Sequence, residues 1–292
     1  MFMLGNQSGC YRHIVEGLEL YDEERHRAHA SVYGGHDARV CGHGEAGLAL
    51  WLLGFPDQAL ARIRMAEDSA RALSHAGSMA HAMDIRVMLH HYLREGDKVR
   101  RIAEALVAFG EEKGFPDYVA KGIFFGGWAL ITRNRADAGL ADLLKGIEMQ
   151  RAIGTKEDFP VYYDMLAEAY RLGGQGEQAL AQLDEGFAVA DESGIHYWDA
   201  ELHRQKGAVL CSLEVDRELE AEACYREAIA IAGRQKAKSL ELRAVLSLAR
   251  LWQAQGKTRE AHEALSSVYG WFTEGFETID LVEARAMLAS LS

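Results

Sequence analysis

The chain has 292 residues, 49% of them apolar and 26% charged, an ordinary globular balance that excludes a disordered polymer. Its formal charge of −12, from 44 Asp and Glu against 32 Lys and Arg, argues against the basic footprint that a nucleic-acid or acidic-membrane surface needs. With 29 Gly, 3 Pro and only Asn6 and Asn134 as asparagines, it holds little β-turn chemistry and reads as helices joined by glycine stops.

In chain order, Met1–Asn6 lacks the basic segment and apolar core of a signal peptide. No stretch approaches the roughly 18 apolar residues of a membrane span. Cys10, Cys41, Cys211 and Cys224 show neither C-x-x-C nor metal-like spacing, which predicts reduced thiols in a cytoplasmic protein. Roughly Cys10 to Ala30 then reads as one helix, the second half of an incomplete helix pair within residues 10–35.

Six copies of a longer pattern follow over residues 36–274. A small residue recurs at Ala59, Gly139, Ala179, Ala221 and Ala261, with Arg101 as a poor match in the second copy. Successive slots are 42, 38, 40, 42 and 40 residues apart. Four residues after each comes a mostly apolar residue (Ile63, Ala105, Leu143, Leu183, Tyr225, Leu265), and three further on a small one in most copies. Small residues let two helix axes approach, and larger neighbours fill the flanking grooves. Gly54, Gly96, Asn134, Gly174 and Gly256 stand five residues before the slot, as left-handed stops between paired helices. The fifth copy carries a longer SLEVDRELEA link instead. Pro116 and Pro160 sit just ahead of helices, and Pro56 in a turn. Asp280 to Leu291 reads as a closing helix within 278–292, with Leu281, Ala284, Leu288 and Leu291 on one face.

A lone helix pair cannot cover its apolar face, so neighbours must stack. The pattern is that of the tetratricopeptide repeat (TPR), lengthened from 34 to about 40 residues. Residues 1–292 are therefore expected to form a single all-α domain, a right-handed α-solenoid of about six TPR-like helix pairs with a leading and a closing helix.

Several strings are more specific than a TPR consensus: VYGGHDARVCGHGEAGLALWLLGFPDQALAR, FFGGWAL, YDMLAEAYRLGGQGEQAL, WDAELHRQKGAVL, EAEACYREAIAIA, QKAKSLELRAVLSLARLW and VYGWFTEGFETIDLVEA. Through them the chain, from about Tyr11 to Leu291, resembles the C-terminal TPR region of bacterial multidomain regulators. Those regulators carry a predicted ATPase (STAND-type NTPase) domain, often preceded by a class III adenylate/guanylate cyclase domain. The resemblance implies a sensing or partner-binding arm whose nucleotide chemistry lies elsewhere, and it transfers no catalytic residue.

Sharper motifs lack their context. Gly42-His43-Gly44-Glu45-Ala46-Gly47 fits G-x-G-x-x-G, but no strand precedes it. Gly256-Lys257-Thr258 has Leu251 where a P-loop needs its first glycine. Among the 12 histidines, Glu23, His26 and His29 could share a helical face without completing a ligand set. His90 and His91 diverge on a helix, and His262-Glu263 lacks the second zincin histidine. No catalytic set, cofactor or metal site is expected.

Superposing the copies puts Arg86, His90, Phe124, Trp128, Asp164, Glu168, Arg204 and Arg250 on the face that lines the concave groove of such arrays. An aromatic centre with mixed charges suits a peptide or helix. The asparagine shortage argues against the clamp that holds carboxylate tails. The expected function is a non-catalytic protein- or peptide-binding scaffold in regulation or signalling. Two alternatives are the detached sensor arm of an ATPase or cyclase system and a small-molecule sensor near Phe124 and Trp128. A homodimer could form through the terminal half-repeat. Arg204→Glu is expected to spare folding.

Overall fold

The structure, a computed structural model, describes residues 1–33, 35–133, 135–155, 157–213 and 217–292, with no account of the Tyr33 side chain. Among these residues it is all-helical with no strands. Four short elements precede the repeats: α1 (Gln7–Glu19), α2 (Glu23–His26), a single 3₁₀ turn and α3 (Ala30–Tyr33). The pairs are α4/α5 (Ala38–Leu53, Pro56–Leu73), α6/α7 (Ala76–Tyr92, Gly96–Lys113) and α8/α9 (Pro116–Ile131, Ala136–Ile153). They continue as α10/α11 (Phe159–Leu172, Gly176–Ser193), α12/α13 (Asp199–Ser212, Glu218–Gln235) and α14/α15 (Lys238–Ala254, Thr258–Tyr269). Helix α16 (Ile279–Leu291) closes the series, over the stretch where the sequence predicts one.

The chain divides into two compact units. One, here the N-terminal unit, comprises Ser8–Trp51 and Pro56–Thr155. The other, the C-terminal unit, comprises Met1–Gln7, Leu52–Phe55 and Lys156–Ser292. In the N-terminal unit glycines on α4 set the packing: a Cβ at Gly42 would meet Leu18 of α1, at Gly44 Ile85 of α6, and at Gly47 Ile63 of α5. Helices α6 and α8 touch each other, and α7 touches both. In the C-terminal unit α10, α12, α14 and α16 make successive contacts in one layer, while α11, α13 and α15 back them. There the Met3 carbonyl accepts N–H bonds from His196 and Tyr197 at 2.6 and 3.2 Å.

The small-residue slots are the fully buried heart of each pair: Ala59, Ala179, Ala221 and Ala261 are 0% exposed. The second copy differs from its sequence reading. Val99, not Arg101, fills the slot; Val99 is fully buried and Arg101 exposed, which restores a 40-residue interval to Ala59. Ala103 then takes the place expected for Ala105. Gly96 is likewise no stop. It begins α7, where lack of a Cβ makes room for Thr132, and Arg94 takes the left-handed backbone at φ 60°. Asn134 and residues 214–216 of the long link lie outside the described residues.

A second series of left-handed residues ends the second helix of the first five pairs at Ser74, Gly114, Gly154, Gly194 and Lys236. The helix expected from Cys10 to Ala30 is also broken after Glu19. The Asp22 carboxylate accepts the Arg25 N–H at 2.9 Å and caps α2, and this local bond competes with continuing the helix.

Candidate functional site

Most first-helix positions facing the next pair are apolar, but in the C-terminal unit a line of charges runs from α10 to α16. Asp164 on α10 accepts a 3.1 Å bond from the Trp198 indole N–H, where Trp198 immediately precedes α12. One turn into α12, Arg204 donates to Glu201 Oε1 at 2.8 Å and to Gln205 Oε1 at 3.1 Å. Arg243 on α14 lies 3.6 Å from the same Glu201 oxygen and donates to Asp280 Oδ2 on α16 at 2.8 Å. Asp164, Glu201, Arg243 and Asp280 are all buried.

Three carboxylates and two guanidiniums would leave a buried excess of negative charge. Burial, and next the adjacent Glu201 carboxylate, push the Asp164 pKa well up and favour its neutral form. Burial would also raise Glu201, but Arg204 and then Arg243 outweigh it and hold that carboxyl low. For Arg204 burial opposes the charge, and Glu201 more than restores it. With Asp164 neutral, Glu201 and Asp280 balance Arg204 and Arg243. The line is nevertheless incompletely bonded: Asp164 Oδ1, Glu201 Oε2 and Arg204 Nε are buried without a hydrogen-bond partner. Each such atom costs roughly 1–3 kcal/mol, which a bound polar group could recover.

The structure thus brings together Asp164 and Arg204 of the sequence-predicted set, through Glu201. Glu168, half-buried one turn beyond Asp164 on α10, adds to the same negative field. Arg250 lies at the solvent end, 2.8 Å from Glu283 of α16. Arg204 is no freely substitutable surface group, so Arg204→Glu would set a carboxylate against Glu201 instead of sparing the fold.

The four remaining residues lie in the N-terminal unit and make separate contacts. Arg86 pairs with Glu67 of α5 at 2.7 Å, and His90 with Glu95 at 2.5 Å. Burial would raise Glu95, but its bonds from His90 and Lys98 hold it low. Phe124 and Trp128 are core residues, 0% and 3% exposed, not lining for a groove. Gly146 on α9 admits the Phe124 backbone and Cβ, and the edge of His91 meets Trp128 at 4.5 Å. Helix α8 is apolar around nearly its whole circumference, so both faces are covered.

Sequence reasoning missed Trp198, Glu201, Gln205, Arg243 and Asp280. A signal was present: Glu201 occupies the same forty-residue register as Cys41, His81 and Lys121, all polar residues on first helices.

No protein-family model matches the chain. An uncharacterized protein, R02095, of Rhizobium meliloti (strain 1021) is 32% identical over 253 residues, covering 86% of this chain and 24% of that protein. The chain therefore spans about a quarter of that relative's length. The crystal structure of the apo form of RapI superposes with a TM-score of 0.58 at 12% identity, covering 90% of this chain and 89% of RapI. Yeast Tom70 gives 0.52 at 14% identity, covering 98% of this chain and 58% of Tom70. Both are TPR-like helical-repeat proteins. The fold is a TPR-like α-solenoid. Among the described residues, no helix is long and apolar enough to cross a membrane.

Proposed function

We propose that the chain is a non-catalytic scaffold that binds a protein segment along α10, α12, α14 and α16, as the partner-recognising arm of a larger regulatory protein. The observation that carries this reading is the buried charge line with three polar atoms lacking partners, Asp164 Oδ1, Glu201 Oε2 and Arg204 Nε. Extended or helical peptides supply both donors and acceptors, so one ligand could complete both signs of the line. Glu168 and the Arg250–Glu283 pair give the same layer a charged border, which favours orientation over raw affinity. Membership of a longer protein is supported by R02095, of which the matched region is only 24%. A STAND-type ATPase or cyclase partner domain remains part of this proposal.

The test is a displayed peptide library panned on the purified chain, with affinities then measured for synthetic hits. Enriched peptides sharing a motif, and binding Glu168→Lys at least about tenfold more weakly, are expected. Arg86→Glu, in the other unit, should leave their affinity unchanged. Absence of enrichment over a folded control protein, or affinity indifferent to Glu168→Lys in a variant with wild-type melting, overturns the reading.

A further inference from the structure

Outside that line, the N-terminal unit gathers two imidazoles and a thiol that the proposed binding role does not use. His36 lies just before α4, Cys41 on its first turn, and His81 on α6, forty residues after Cys41. One potential ligand atom from each lies within 4.8 Å of the other two. The His36 and His81 rings stack at 4.0 Å with an interplanar angle of 11°. His81 Nε2 is buried and has no hydrogen-bond partner.

The backbone around these groups is held in place by hydrogen bonds of its own. The Asp37 carboxylate caps α4, accepting N–H bonds from Arg39 at 2.9 Å and Val40 at 3.3 Å. Its other oxygen accepts the Tyr21 hydroxyl at 2.7 Å. The Asp37 N–H donates to Ser78 Oγ at 2.8 Å, and Ser78 in turn bonds the His75 ring that caps α6. The loop carrying His36 is therefore pinned to the first turn of α6, three residues before His81. Nearby, Lys121 is paired with Asp84 at 2.8 Å, which offsets its charge beside the two histidines.

We propose that His36, Cys41 and His81 form a binding site for a divalent metal of borderline softness, Zn²⁺ above all, with solvent or an external ligand in the fourth position. Two imidazoles and one thiolate are a donor set that suits zinc, and three protein ligands leave one corner of its tetrahedron open. With metal–ligand distances of about 2.0–2.3 Å, ligand atoms around zinc stand about 3.3–3.7 Å apart. Closing from separations of up to 4.8 Å requires no more than about 1.5 Å of movement. It also requires the stacked rings to splay so that their lone pairs converge. His36, in a connection and not in a helix, is the residue placed to make that adjustment. On binding, the Cys41 thiol gives up its proton to solvent while the metal keeps its oxidation state.

The site is tested with the purified 292-residue chain stripped by chelator and titrated with Zn²⁺, and separately with Co²⁺ as a spectroscopic probe. Stoichiometric binding is expected, with tetrahedral Co²⁺ bands and a thiolate-to-cobalt charge-transfer band. Cys41→Ser should abolish the charge-transfer band, and His81→Gln should weaken Zn²⁺ binding at least about tenfold. Cys211→Ser should change neither. Independently of any variant, Zn²⁺ should protect Cys41 from alkylation in the wild-type protein while the exposed Cys211 still reacts, as mapped by mass spectrometry. Absence of stoichiometric binding overturns the site. So does binding that leaves Cys41 as reactive as before, or that survives both Cys41→Ser and His81→Gln unchanged.

Discussion

In the N-terminal unit the repeat register places Cys41, His81 and Lys121 on successive first helices, forty residues apart. In the C-terminal unit the same register holds Val161 and Glu201 and, after a link two residues longer, Arg243. Backbone and packing are alike, yet the first region sets a thiol and imidazoles near a Lys paired with Asp84, and the second aligns carboxylates and guanidiniums that offset one another. A helical repeat thus builds a ladder of equivalent interior positions without choosing their chemistry. Hydrogen bonds and ion pairs from one pair to the next, 34 to 41 residues apart in sequence, then decide what each rung can do.

The largest effect should come from cutting the charged ladder. Arg204→Ala leaves Glu201 and Asp164 buried with less compensation, and is expected to cost about 3–5 kcal/mol in urea unfolding. A loss below about 1 kcal/mol would mean that the C-terminal line is as little coupled as surface pairs usually are.

Next in size is the metal. At a free Zn²⁺ concentration about a hundredfold above Kd, native-state binding should add about 2.7 kcal/mol. Slowed amide exchange should centre on the first turn of α4 and on α6. Equal slowing in α12 and α14 would erase the contrast between the units.

A smaller, pH-dependent effect belongs to Asp164. Its pKa is raised from 3.8 on folding, so across that window the folded state binds more protons than the unfolded state, and stability falls as pH rises. Asp164→Asn keeps an acceptor for Trp198 and removes the carboxylate. It should gain on wild type in melting temperature as pH rises above about 4. Glu201, held low, contributes with the opposite sign: its stabilisation is lost as pH falls through its folded pKa. A difference between Asp164→Asn and wild type that stays flat from pH 4 to 7 would show that Asp164 is ionised throughout.

The smallest change is expected at Arg250, whose side chain is 52% exposed beside Glu283. Arg250→Ala should alter stability by no more than about 0.5 kcal/mol, because solvent already screens that pair. A loss comparable with Arg204→Ala would extend the coupled line out to the solvent edge.

The helix pairs were legible in the sequence because small slots and apolar spacing follow directly from close helix packing. One copy was misaligned: in VRRIAEAL both Val99 and Arg101 stand near the slot, and periodicity alone did not show that only Val99 is buried. The Asp22 cap that starts α2 was invisible for a similar reason, since a side chain's competition with the backbone depends on geometry. Two of the eight residues expected to line the groove are brought together in the structure. Asp164 and Arg204 do meet, but through Glu201, which no motif marks. Phe124 and Trp128 follow the right register and still point into the core, because Gly146 opens a space for one and His91 covers the other.

The sequence by itself determined an all-helical repeat, its period, and where small residues must sit, because those features rest on contacts between residues close in the chain or exactly one repeat apart. Only the tertiary structure decided which polar side chains meet. A charge or a donor acquires its character from the dielectric and partners around it. Those partners, Asp280 for Arg243 or His81 for His36, come from helices that the sequence pattern treats as interchangeable.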